Sequence, residues 1–210
     1  MILGIATGIP LTLAVTAAAF VIGALLGLPI CAMRLSSVGP LRWIAIGYVI
    51  LFRSIPPLLW VFVLFFGLGS GYVPISAFES AVIGLGLITA ANMAEIYRGS
   101  LAAIHAGQWE ASQALALPIF SVCVDIIAPQ LLRVSLPSSA SYAVGLLKDS
   151  AIASTIGVTE ISFNANYISK STYQGLPVFA IAALFYIMIS LPIAGFARAA
   201  DKALRARVAL

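Results

Sequence analysis

Charge is what this chain has least of. Only 9% of its 210 residues are charged and 62% are hydrophobic, whereas soluble domains carry roughly a quarter charged residues. A water-soluble fold of this length needs polar groups to cover its surface, and these are too few. Cysteine is equally sparse. Cys31 and Cys123 are the two present, with no metal-ligand spacing. Both fall at the cytoplasmic side or in the membrane, so they read as small apolar packing residues and not as a disulfide. The single histidine, His105, has no Cys or Ser partner for nucleophilic catalysis and reads as a loop residue. No G-x-x-x-x-G-K-[ST] run occurs, which excludes the chain itself as an ATPase. The formal net charge of +4 comes from dispersed basic residues and forms no stripe for nucleic acid. Residues 1–33 contain no charge at all. A signal peptide has a basic start and a shorter apolar core, so this run reads as an uncut spanning helix.

The apolar residues fall into segments of bilayer length, about 20 residues each. Spans are expected at 8–33, 44–66, 77–97, 134–153 and 176–196. The second is interrupted by Arg53, Pro56 and Pro57, and the prolines should kink or restart that helix. The fourth carries Ser138, Ser139, Ala140 and Ser141, small enough for close helix packing. The reading is an all-α, polytopic membrane protein with five spans and one domain over residues 1–210. Placing the N-terminus outside puts Arg34, Arg42, Arg53, Arg98, Arg133, Arg198, Lys202, Arg205 and Arg207 on the inner side. Only Lys148 and Lys170 then fall toward the outside, so the positive-inside rule favours a cytoplasmic C-terminus. The basic tail suits anionic lipid or a regulatory contact.

One stretch is no span. Residues 99–130 mix His105, Gln108, Trp109, Glu110, Gln113 and Asp125 with Pro118 and Pro129. A connection this long generally carries structure or function. Residues 109–117 are good helix formers, and Pro118 suits the start of a second helix. Two short helices at the cytoplasmic face are expected.

Within this stretch, Glu110-Ala111-Ser112, then Ala116, then Ile126-Ile127-Ala128-Pro129 resembles the EAA loop of bacterial ABC-transporter permeases. That loop reads Glu-Ala-Ala, three residues, Gly, nine residues, Ile-x-Leu-Pro. The spacing agrees throughout, with Ser112, Ala116 and Ala128 as departures. A turn at Ala116 that needs a positive φ would favour glycine. Residues 8–13, 52–58, 94–99, 107–111 and 146–161 are similar, in order, to stretches of the polar amino-acid branch of the family. The resemblance implies a type I importer fold with an EAA coupling loop at 99–130. It implies two permease subunits, identical or not, two ATPase subunits that use ATP and Mg, and an external amino-acid-binding protein. No cofactor is expected on this chain, and the location implied is the bacterial plasma (inner) membrane. The rival reading is an ATP-independent secondary transporter or channel for small polar solutes.

The resemblance assigns ATPase coupling to Gly107, Glu110, Ala111, Ser112, Ala116 and Pro129. Glu110 alternatively stabilises a helix start through the dipole. Glu95 and Arg98, at i, i+3 spacing, either anchor a helix end or form an inner gate. Lys148 and Asp149 lie about 22 Å of helix beyond Arg133, a depth at which ionisable groups face a cavity or a partner, or snorkel outward. Asn92 and Glu160 complete the candidates for the solute path.

Overall fold

The computed structural model describes residues 1–69 and 74–206, and its regular elements there are all helices. The short α1 (Ile2–Ala6) leads into the long α2 (Ile9–Leu35), which has Pro10 in its first turn. Next come α3 (Gly39–Ser54) and α4 (Pro57–Phe62), the latter continued by a π-helical turn over Val63–Leu68. The chain then forms α5 (Ala77–Ala102), α6 (Ala106–Ala114) and the brief α7 (Ile119–Ser121). A second π turn, Val122–Ile127, feeds α8 (Ala128–Asp149), and a 3₁₀ segment, Ser150–Ile156, follows. Two helices, α9 (Ile161–Thr172) and α10 (Gly175–Ala206), complete the chain.

Four helical stretches are long and apolar enough to cross a bilayer, and α3 with α4 makes a fifth crossing if the bent pair is one span. The bend is 102°. Its cause is local: Pro56 caps α4 and Pro57 opens it, where a missing N–H is harmless. Phe52 stacks on Trp60 across the break with ring centroids 4.3 Å apart. This agrees with the five-span reading and with the two prolines as its interruption.

The centre of the bundle is α2 against α5, and small residues make the approach possible. A Cβ on Gly27 would stand 2.8 Å from the Met93 Cβ, and one on Gly86 3.2 Å from Ile22. Gly23 is pressed so closely on Thr89 that no side chain fits. Around this seam Val15, Ala19, Val61, Leu85, Leu146 and Ile156 form a buried core shared by α2, α4, α5, α8 and the 3₁₀ segment.

Three expectations are corrected. Two separate short helices do not lie between the third and fourth spans. The first is α6, which begins earlier than expected and ends at Ala114. The second has no end of its own, because Ile119 to Ile156 is one continuous helical stretch of 38 residues. Nothing between Pro118 and Pro129 breaks a helix. The π turn precedes Pro129, whose ring excludes the ordinary bond to residue i−4. The helix that carries the fourth span therefore starts well before residue 134. Arg53, expected on the inner side, is exposed at the break that ends α3 and lines a cavity with Asn92, a residue in the body of α5. Arg207 lies outside the described residues, as do the side chains of Lys202 and Arg205.

Candidate functional site

Neighbouring residues on a helix point about 100° apart, and at the end of α8 this separates two charges. Asp149 lines a cavity of about 280 Å³ with Phe52, Arg53, Pro57, Asn92 and Tyr142. The α3–α4 break opens one wall and supplies the cation. The Asn92 amide donates to the Ile88 carbonyl at 2.9 Å and reaches the Tyr142 hydroxyl at 3.5 Å. Tyr142 in turn donates to Thr89 Oγ1 at 3.2 Å. An acid, a base, an amide and a phenol thus line one small chamber that opens to the surface of the bundle at Arg53. Such a set can hold a solute that carries both charges. Lys148 faces elsewhere, into a cavity of about 420 Å³ lined by Ala151, Ala183, Tyr186 and Ser190. The two charges proposed for one path are in separate spaces.

Sequence reasoning missed Arg53 and Tyr142 as members of the chamber. A signal for Tyr142 was available: it precedes Asp149 by seven residues, two helical turns, and so shares its face.

Glu95 stands about two turns before the C-terminal end of α5. Its Oε2 accepts from Arg98 Nη2 at 2.9 Å and from Nε at 3.1 Å, the expected i, i+3 pair. The other oxygen, Oε1, sits 2.9 Å from Arg34 Nη2, an ion pair that ties α2 to α5. Arg34 was not foreseen as a partner. Glu160 is fully buried at the start of α9. It accepts from the Phe163 N–H at 2.9 Å and from the Tyr186 hydroxyl at 2.6 Å, while the Thr12 hydroxyl lies 3.3 Å away. Its carboxylate joins α2, α9 and α10, and it does not line the Asp149 chamber.

The candidates expected at the cytoplasmic face cluster on and beside α6. The His105 side chain accepts from the Gly107 N–H at 3.0 Å and caps the helix. Glu110 is therefore beyond the first turn, where the dipole effect fades, and it is exposed together with Ala111. Ser112 is buried and donates to the Gln108 carbonyl at 2.6 Å. Ala116 takes φ +50°, the left-handed turn that glycine adopts freely. The turn leaves Leu115, Ile119 and Phe120 exposed at 71%, 71% and 75%. Beneath them Ile104, Val122 and Ile127 pack with Trp109 and Leu131, tying α6 to the bases of α5 and α8. Gln130, next to Pro129 in the first turn of α8, donates to the Gln108 side chain at 3.3 Å. The result is an exposed apolar and acidic face on a base anchored to two spanning helices.

Comparison with known proteins agrees with this arrangement. Residues 19–206 match the family described as the inner-membrane component of binding-protein-dependent transport systems. An L-cystine transport system permease of Bacillus subtilis is 34% identical over 183 residues, covering 87% of this chain and 78% of the relative. An arginine transport system permease of the same organism is 32% identical over 200 residues, covering 94% and 91%. The crystal structure of an amino acid ABC transporter with histidines superposes with a TM-score of 0.87 at 30% identity, covering 95% of this chain and 93% of that one. A methionine ABC transporter in an inward-facing conformation, 21% identical, shares the fold with a TM-score of 0.78. An EAA-like turn between two spans, an anchored and exposed face and matches over nearly the whole length lead to one conclusion: the chain belongs to the family of binding-protein-dependent inner-membrane components, the permease subunits of ABC importers.

Proposed function

We propose that this chain carries amino acids across the bacterial plasma membrane, as one of a pair of permease subunits, and that the Asp149 chamber is a station on their path. The observation that carries this reading is the pairing of Arg53 and Asp149 in one cavity of about 280 Å³. Every free amino acid has a carboxylate and an ammonium group. Within a membrane, ionisable residues are expensive and face a path or a partner. Arg53 is suited to the carboxylate, since its guanidinium is always charged. Asp149 and the Asn92 and Tyr142 side chains are suited to the ammonium end. The volume, below the ~300 Å³ typical of drug-sized sites, fits a small solute.

The energy comes from elsewhere. Residues 99–130 act as the coupling element, with Glu110, Ala111 and the exposed Leu115, Ile119 and Phe120 seated on an ATPase subunit that holds ATP and Mg. Large apolar side chains exposed outside the bilayer mark a docking surface. Gly107, Ser112, Ala116 and Pro129 shape this face rather than make the contact. An external binding protein delivers the solute on the opposite side. With Arg53 assigned to the chamber, Arg34, Arg42, Arg98, Arg133 and Arg198 still mark one side as cytoplasmic. The N-terminus is then outside and the C-terminus inside.

The test is uptake by proteoliposomes containing the assembled transporter. Asp149→Asn should lower amino-acid uptake by about tenfold or more, the value of one hydrogen bond to a charged group, while subunit assembly is unchanged. Uptake equal to the native chain's would remove Asp149 from the path.

A further inference from the structure

A second pair of cavities has a different character. One, of about 490 Å³, lies where α2, α5 and α8 meet and is lined by Phe20, Tyr97, Arg133, Leu136 and Ser139 among others. The other, of about 410 Å³, continues from it past Phe20, Leu136 and Ser139 to Ala140, Ala143 and Phe196. Together they form a trough along α8. Its walls are mostly apolar, and it lies on the side of the bundle where Leu132 and Leu136 are 61% and 41% exposed.

The trough has a charged end. Arg133 and Tyr97 line the first cavity, and Tyr97 is next to Arg98, which together with Arg34 pairs with Glu95 and marks the inner ends of α5 and α2. Arg133 is therefore at the inner boundary of the bilayer. Among the described residues both ion pairs are made to Glu95, so the Arg133 charge enters the trough without an acidic partner. From Arg133 to Ala143 the helix rises about 15 Å, half of a hydrocarbon core of roughly 30 Å. A cation at headgroup level with an apolar channel running one leaflet deep is the shape of one phospholipid. Basic pockets between spanning helices on the cytoplasmic side hold anionic headgroups.

We propose that this trough binds an anionic phospholipid of the inner leaflet, its phosphate on Arg133 and an acyl chain along Leu136, Ser139, Ala140 and Ala143. The site is separate from the Asp149 chamber, and the proposal does not depend on what is transported.

The test is native mass spectrometry of the full-length chain, purified with its associated subunits and partly delipidated. Dioleoyl phosphatidylglycerol and dioleoyl phosphatidylcholine are then supplied in equal amounts. The native chain should retain the anionic lipid preferentially. Arg133→Gln should reduce that preference about fivefold, the effect of one basic residue at an anionic surface. Arg42→Gln, an exposed cation away from the trough, should leave it unchanged. Glycerol 1-phosphate, which has the phosphate without the chains, should not compete. If Arg133→Gln fails to fold, Ala140→Phe serves instead by filling the trough, and it should abolish retention. Equal preference in native and Arg133→Gln protein would overturn the proposal, as would displacement by glycerol 1-phosphate. A disulfide between two copies carrying Leu136→Cys in native membranes would also overturn it, because a second copy would then cover the trough.

Discussion

Single residues in this protein work under opposite constraints at the two ends of the bundle. At Ala116 the backbone takes φ +50°, a region that a Cβ makes unfavourable by about 1–2 kcal/mol. Ala116→Gly should therefore stabilise the protein by about 1 kcal/mol, seen as a higher melting temperature in detergent. A lower melting temperature would mean that the Ala116 methyl makes a contact worth more than the strain. The requirement for a left-handed turn was legible from the spacing after Glu110, because a glycine is expected there. Glu95 was only half legible. Its bond to Arg98 follows from helix geometry, whereas the ion pair to Arg34 joins residues sixty-one positions apart and depends on how α2 lies on α5.

At the scale of elements, the seam between α2 and α5 rests on close approach around Gly23, with the Arg34–Glu95 ion pair and the Tyr97 hydrogen bond to Ala24 toward one end. Gly23 meets Thr89 with no room for a side chain. Gly23→Val should overpack the seam, costing about 1–3 kcal/mol, with a lower melting temperature and a smaller folded yield. A normal yield and melting temperature would show that the helices separate freely at this point. Spans could be read from hydropathy because bilayer thickness imposes a length on them. The junction of α7 with α8 could not. Asp125 is the only charge between Ile119 and Gln130, and the sequence around it looks as much like a loop as a helix. Pro118 was rightly seen as a start. Pro129 lies within the same continuous stretch, after the π turn over Val122–Ile127. The consequence is mechanical: any push on the face at Ile119 and Phe120 is delivered directly into α8, which carries Asp149 at its far end.

For the whole molecule, the arrangement links two sites through α8. The exposed face around Glu110 and Phe120 is anchored by Ile104, Val122 and Ile127, and the Asp149 chamber sits against the α3–α4 break. The exposed turn at Ala116 was legible from the EAA-like spacing. The chamber was only partly so: Asn92 and Asp149 stood out as polar residues in apolar runs, but Arg53 had been assigned to the inner surface, because a 102° bend cannot be read from a pair of prolines.

The account stands most directly on whether the Glu110 face receives an ATPase. The measurement is co-purification in mild detergent of a candidate ATPase subunit co-expressed with this chain, comparing the native protein with Glu110→Lys at matched melting temperatures. The native chain should retain the ATPase, and the charge reversal should reduce retention by about tenfold or more. Equal retention by both would contradict the role of Glu110, and no association with either folded chain would contradict the coupling of this permease to an ATPase.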